Sequence, residues 1–410
     1  MSKTSFQNCS KCGLCLNVCP VYKAIKEESA SPRARLQQIK AYSKKNLSSS
    51  PLLKKTVSKC LMCGTCVVNC PSGVDHYGTF MEMREKMAAK HPDPPAIRSM
   101  TYFLAKESRL KLGTKLAQKG QHLLPDYITK SIKIGNLTLD KFPSLNSITF
   151  RDSMDSVILP DTEPIGTVVY FTGCATNYLF GDTGFATVDV LKHMGFKIII
   201  PTAQTCCSIP LLFHGARQKA QDNIKNNINV LKEYDADAII VDCSTCGEAL
   251  KNEYPALYKE GGHPDAEEIS AKVVDILTFV DQHFDRLEFD PQPSQQVAVS
   301  YHAPCHTKNS FGSHRVAEAL LKRLPGIDYL RSPDFDECCG GGGTFFYEYP
   351  DIAKKMINKK ISNVKALTID LWATDCPVCR INLTGNLTKE DNISVIHPLA
   401  LIQRGLINKG

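Results

Sequence analysis

With 410 residues, 43% of them hydrophobic and 22% charged, the chain has room for two or three globular domains and needs no disulfide staples to hold a core. No stretch approaches the roughly 18 to 20 consecutive apolar residues of a membrane span, and the N-terminal MSKTSFQNCSKC lacks the apolar centre of a secretory signal. The expectation is a soluble chain in a reducing cytoplasm, where its 18 cysteines stay thiols and serve another purpose. The net charge of +7 hides two halves: residues 1–130 hold 22 Lys+Arg against 8 Asp+Glu, and the remainder is acidic.

Cys9, Cys12, Cys15 and Cys19 precede Pro20, and Cys60, Cys63, Cys66 and Cys70 precede Pro71. Both runs read C-x2-C-x2-C-x3-C-P, a ferredoxin-type spacing in which three thiolates wrap one cubane and the fourth reaches the neighbouring one. The spacing predicts two 4Fe-4S sites: Cys9, Cys12 and Cys15 with Cys70, and Cys60, Cys63 and Cys66 with Cys19. Structural zinc tetrads are the competing reading, disfavoured because zinc modules pair two C-x2-C hooks rather than double a three-hook run. Clusters held by thiolates carry negative charge that offsets part of the basic excess, and the few aromatic residues of this half argue against a nucleic-acid surface. Gly13 and Gly64 stand where the backbone has to approach a cluster with no side chain between. Between the runs Pro32 marks a helix start, with Leu36 and Ile39 at helical spacing. Arg33 and Arg35 either steady the cluster domain or sit on a solvated first turn, and Met81, Met83 and Met87 read as core filling. HPDPP near 91–95 ends this segment in a turn, and residues 91–166 read as a helical linker, broken by Gly113, Gly120 and Pro125, that packs across both domains.

From residue 167 the cysteines repeat. Cys174, Cys206, Cys207, Cys243 and Cys246 recur as Cys305, Cys338, Cys339, Cys376 and Cys379, at offsets of 131, 132, 132, 133 and 133. So regular a ladder implies duplication of one structural unit. Strand-like runs Thr167–Phe171 and 296–301 lead into the first cysteine of each set, and Asp242 and Asp375 each precede a C-x2-C. Further β-rich runs at 197–200, 238–241, 327–330, 367–371 and 393–396 alternate with helical patterns such as 216–234, the rhythm of a parallel sheet whose ligands lie beyond the carboxyl ends of the strands. Vicinal thiolates suit neighbouring irons and are awkward as two legs of one zinc tetrahedron, with a vicinal disulfide as the redox alternative. Gly340 to Gly343 lack the Lys-Ser or Lys-Thr of a phosphate loop, so close approach to a cluster is the expected use. His302 and His306 flank Cys305 and either bond a cluster sulfur, pass protons or serve as local donors. His214 and Arg217 are assigned no role.

These features resemble the iron–sulfur subunits of glycolate oxidase (glycolate dehydrogenase) and of its D-lactate-oxidising relatives. The likeness rests on the two ferredoxin runs, Pro32-Arg33-Ala34-Arg35, Pro71-Ser72-Gly73-Val74 and the paired cysteine repeats; the repeats also resemble those in the cysteine-rich subunits of heterodisulfide reductase and of anaerobic glycerol-3-phosphate dehydrogenase. The resemblance implies an α+β multi-domain chain: an N-terminal α-helical ferredoxin domain over 1–90, the linker 91–166, and two α/β cysteine-rich repeats over 167–285 and 286–410. It implies two 4Fe-4S clusters in the first domain and one or two more, cubane or non-cubane, in the repeats. Ser208 follows the first vicinal pair where the family commonly has Gly, as at Gly340 after the second, so crowding by its Cβ makes the first repeat's cluster the less certain one. Oxidising a 2-hydroxy acid needs a flavin or nicotinamide, and no dinucleotide fingerprint is present. The expected function is therefore electron transfer from a partner FAD subunit to a quinone or another carrier, in the cytoplasm or at the inner face of the cell membrane through partners. Catalytic thiol–disulfide reduction at the repeats and service to a glycerol-3-phosphate dehydrogenase are the alternatives.

Overall fold

A computed structural model describes residues 5–258, 264–293 and 295–407, so the first four residues of the N-terminal segment lie outside it. Local capping sets out the N-terminal helices. Ser31 accepts the Ala34 N–H at 3.1 Å ahead of the helix Pro32–Ser43, and Ser50 accepts the Leu53 N–H at 3.1 Å ahead of Pro51–Ser58. Asp75 accepts the Gly78 N–H at 2.8 Å and opens His76–Lys90; each cap satisfies a donor that the first turn leaves free. Leu36, Ile39, Leu53, Phe80, Met83 and Met87 are buried together, in a core that continues into the first repeat through Phe171, Leu212 and Tyr254. A second face, with Val21 and Leu61, packs on Phe345, Phe346 and Ala353 of the second repeat.

The segment 91–166 departs from the expected broken helical linker. The helix Glu107–Leu123 runs through Gly113 and Gly120 and stops only before Pro125. Gly113 is a packing glycine, because a Cβ there would lie 2.9 Å from the Phe103 ring. Beyond it come a short hairpin, β1 (Lys133–Ile134) and β2 (Leu137–Thr138), turned at left-handed Gly135, and then β3 (Val157–Ile158).

Each repeat builds the same sheet. In the first, β4 (Gly166–Phe171) lies between β5 (Phe196–Ile199) and β6 (Ala238–Val241), with β7 (Val273–Asp275) outside β6. In the second, β8 (Val297–Tyr301) lies between β9 (Ile327–Tyr329) and β10 (Leu371–Ala373), with β11 (Ser394–Ile396) outside β10. All of these pairs are parallel, and the order by appearance is 2-1-3-4 in both. The first sheet gains β3 as an antiparallel edge on β5, so it begins upstream of residue 167. The expected run 367–371 is a strand only from Leu371: the helix Pro350–Lys365 closes in a turn through Leu367, and Thr368 takes a left-handed φ of 53°. The sheets share one core, in which Val168, Tyr170 and Ile240 meet Val299, Tyr301 and Leu399. Arg380 adds a forked ion pair across the two repeats to Asp182, at 2.7 and 3.2 Å.

Candidate metal centre

The two N-terminal runs fold alike. Gly13 (φ 84°) and Gly64 (φ 73°) stand in the left-handed region at the starts of short helices, Leu14–Val18 and Thr65–Val68. The backbone conformation is what asks for glycine here, since an L side chain strains at that φ. Cys9, Cys12, Cys15 and Cys70 ring one cavity, which Gly13 and Arg33 also line. Cys19, Cys60, Cys63 and Cys66 ring a second, with Arg35 in its wall. Each cavity thus takes three sulfurs from one run and the fourth from the other. Backbone N–H groups of Met62 and Val74 point at the sulfurs of Cys60 and Cys70, at 3.5 and 3.4 Å. Arg35 is fully buried, donates to the carbonyls of Thr56 (3.1 Å) and Lys59, and lies near Cys19, so it is no solvated first turn. Arg33 pairs with Glu28 at 3.0 Å on the rim of the other cavity. Burial, with Cys305 and Cys60 alongside, pushes the Cys63 thiol up to about 12.

In the repeats the cysteines follow β4, β5 and β6 of the first sheet and β8, β9 and β10 of the second. The thiols touch in the same succession twice: Cys174, Cys206, Cys207, Cys246, Cys243, and Cys305, Cys338, Cys339, Cys379, Cys376. Hydrogen bonds from Cys206 and Cys246 hold the Cys207 thiol low, and bonds from Cys338 and Cys379 do the same for Cys339. Ser208 and Gly340 direct their N–H groups at the first sulfur of each vicinal pair, both at 3.4 Å, from left-handed backbones with φ of 74° and 84°. The expected crowding by Ser208 is not what the geometry gives: a Cβ at Gly340 would face Ala353 and Met356 rather than a sulfur, and Ser208 Oγ donates to the Cys206 carbonyl at 3.4 Å. What serine meets there is backbone strain.

Each set of thiols is braced by a triad the sequence reading passed over. Tyr170 and Thr176 donate to Asp242 at 2.8 and 2.5 Å, and Tyr301 and Thr307 donate to Asp375 at 2.6 and 2.5 Å. The signal was available, because tyrosine and threonine recur four residues before and two after Cys174 and Cys305. Burial raises both aspartates, Asp375 to about 6. The repeats differ at His302, which stands at the place of Phe171; its ring and the sulfurs of Cys339 and Cys379 lie within 4.8 Å of one another. His306, where the first repeat has Ala175, binds the Met62 carbonyl at 3.1 Å.

The four sulfur groups adjoin in a definite order. Cys66 has Cys15 of the other N-terminal cavity within electrostatic reach, Cys63 has Cys305, and Cys243 has Cys376, whose sulfur is also 3.7 Å from the Thr245 hydroxyl. Thiolates facing inward on small cavities, fed by N–H donors and by buried arginine, suit iron–sulfur clusters in donor type and charge. Among the other residues, Met83 and Met87 are fully buried in the core, and His214 bonds Thr344 at 2.7 Å where the N-terminal domain meets both repeats.

Residues 5–74 match the family described as a 4Fe-4S dicluster domain, and residues 168–251 and 299–384 each match the family described as a cysteine-rich domain. The chain is 26% identical over 417 residues to the probable glycolate oxidase iron-sulfur subunit of Bacillus subtilis, covering 95% of this chain and 91% of that one. It is 25% identical over 400 residues to a fumarate reductase (CoM/CoB) subunit of Methanothermobacter marburgensis, covering 97% and 71%. To one subunit of the dihydromethanophenazine:CoB–CoM heterodisulfide reductase of Methanosarcina acetivorans it is 23% identical over 422 residues, covering 97% and 93%.

Proposed function

Because this chain belongs to the iron–sulfur proteins that join a 4Fe-4S dicluster domain to two cysteine-rich domains, we propose that it is the electron-transfer subunit of a 2-hydroxy-acid dehydrogenase complex of the glycolate or lactate type. In this reading Cys9, Cys12, Cys15 and Cys70 hold one 4Fe-4S cluster and Cys60, Cys63, Cys66 and Cys19 the second. Cys174, Cys206, Cys207, Cys243 and Cys246, and Cys305, Cys338, Cys339, Cys376 and Cys379, hold a cluster in each repeat. Such clusters, when bound, accept and release single electrons. The chain's own residues fix the sulfurs at neighbouring positions, offer N–H groups to them, and cover the other three sites more fully than the first, where Cys12 is exposed. A partner FAD subunit takes the hydride equivalent from the substrate, and a quinone or another carrier is the acceptor.

The observation that carries this reading is the unbroken succession of four thiol groups from the half-exposed Cys9 site to the largely buried cysteines of the repeats. Among the described residues no helix is long and apolar enough to cross a membrane, so any membrane contact is assigned to partners. Purification of the intact complex under anaerobic conditions, followed by assay with glycolate, D-lactate and L-lactate, tests it: iron in large excess over zinc and reduction of the chain by one of these acids is the expected result. A colourless zinc protein, or a chain that no 2-hydroxy acid reduces, ends the reading. A second reading, catalytic thiol–disulfide reduction at the repeats, draws on the near-complete match to the heterodisulfide reductase relative; stoichiometric disulfide turnover by the isolated chain decides for it.

A further inference from the structure

A cleft of about 1220 Å³ opens where the segments that follow three groups of cysteines converge. Its walls come from the helix His76–Lys90, the segment after Cys63, and two π-helical turns, Ala249–Glu253 behind Cys246 and Thr307–Phe311 behind Cys305. Such turns are rare and concentrate at functional sites. The cleft's depth holds hydrogen-bonding groups with nothing to bond. Glu253 is 5% exposed, and no hydrogen bond or ion pair reaches its carboxyl group from the described residues. The Tyr77 hydroxyl, the Asn309 carbonyl oxygen and His306 Nδ1 are buried without a partner in the same lining. Buried polar groups are left unpaired at a cost, and three in one lining, beside a carboxyl group that no described residue bonds, mark a place built for a ligand.

Charge and chemistry narrow the ligand. Five carboxyl groups line the cleft against two cations, and both cations face acids, Lys86 on Glu82 at 2.8 Å and Arg217 on Glu85 at 3.8 Å. Among the described residues of this lining no lysine or arginine is left to receive a carboxylate, phosphate or sulfonate, so an anionic substrate is disfavoured. Val67, Val68, Met81 and Leu212 supply apolar wall. Tyr77 lies near Cys305, and His306 adjoins it in the chain. A neutral molecule that accepts electrons from sulfur-held sites near Cys305 and offers carbonyl oxygens to O–H donors fits these walls, and a quinone has that chemistry.

We infer that this cleft is the quinone-reducing site, with Glu253 delivering a proton to one carbonyl oxygen and Tyr77 hydrogen-bonding the ring. The inference rests on the electron-transfer reading above. Reduction of quinone to hydroquinone adds two electrons and two protons. The electrons come singly along this chain from the 2-hydroxy acid oxidised on the partner; Glu253 gives the first proton, and water entering the open cleft restores it and supplies the second. Burial, with Glu248 and Asp75 beside it, raises the Glu253 carboxyl to about 8 against the opposing pull of His306 and Arg217, so it is protonated at neutral pH.

The full chain, reconstituted with iron and sulfide and reduced by stoichiometric dithionite, is mixed with decylubiquinone, with ferricyanide, or with the dianionic bis(2-sulfoethyl) disulfide. Saturable binding of decylubiquinone by calorimetry is expected, together with reoxidation by it. In Glu253→Gln the ratio of the quinone rate to the ferricyanide rate should fall about 100-fold. In Tyr77→Phe decylubiquinone binding should weaken about fivefold, a readout that stands if Glu253→Gln fails to take up iron. Absence of saturable quinone binding while ferricyanide still reoxidises the chain overturns the site and spares the electron-transfer reading. An unchanged rate ratio, or tighter binding of the disulfide than of the quinone, does the same. Failure of ferricyanide to reoxidise the reduced chain overturns both.

Discussion

Ser208 and Gly340 occupy one backbone position twice, and only the glycine is at ease there. Left-handed backbone costs a non-glycine residue roughly 1–2 kcal/mol, of which the lower chain entropy of unfolded serine returns about half. Ser208→Gly should therefore stabilise the chain by up to about 1 kcal/mol in urea unfolding. Gly340→Ala should cost roughly 2 kcal/mol, because the new Cβ also comes 3.1 Å from the Ala353 carbonyl. Glu253 makes the opposite kind of demand. Its carboxyl holds a proton up to about 8 when folded, against an ordinary 4.5. Between those values the folded chain binds more protons than the unfolded one, so stability falls as pH rises through this window and levels off above it. At about 1.4 kcal/mol per unit, the loss is at most about 5 kcal/mol. Glu253→Gln should flatten that slope in denaturant titrations between pH 5 and about 8; a slope equal to the wild type's would place the shift elsewhere.

At the scale of elements, the turn from strand to cysteine depends on its buried carboxylate. Asp375 receives hydroxyls from the end of β8 and from the π-helical turn behind Cys305, and it immediately precedes Cys376. Asp375→Ala leaves Tyr301 and Thr307 unpaired in the interior and should cost roughly 3 kcal/mol, with iron lost from the second repeat first. Thermal unfolding and iron counted per chain check this, and a variant with wild-type values of both would deny the brace a role. The cysteine ladder was legible in the sequence because a constant offset survives loops of different length, and the strands at 166–171, 238–241 and 297–301 were legible from their apolar β-branched runs. The 2-1-3-4 order was not, since four-residue strands carry no record of their neighbours. Gly113 looked like a breaker because its partner, Phe103, is on another helix, and Glu253 carried no signal because a lone acid gains meaning only from the cleft around it.

Over the whole molecule, chain order and spatial order part company. The first repeat follows the N-terminal domain in sequence, yet Cys63 of that domain has Cys305 of the second repeat within electrostatic reach, and the first repeat's Cys243 has Cys376. The N-terminal domain does pack on the first repeat, with Phe80, Met83 and Met87 in one core with Leu212 and Phe213, but the repeat sulfur that Cys63 feels is Cys305 rather than one of the first repeat. If the four sites work in the order in which they neighbour one another, the second repeat is the bridge and the first a branch beyond it. In the complex with the flavoprotein proposed above, Cys339→Ala should abolish reduction of the first-repeat site on the timescale of turnover. Cys207→Ala, the equivalent change in the first repeat, should leave reduction of the second-repeat site intact. Freeze-quench EPR after mixing with the 2-hydroxy acid separates the two variants, because each retains one repeat's site and only Cys207→Ala should show it reduced. Equal loss in both would mean that electrons enter the repeats together, and a first-repeat signal that persists in Cys339→Ala would mean that they enter the first repeat directly from the N-terminal domain.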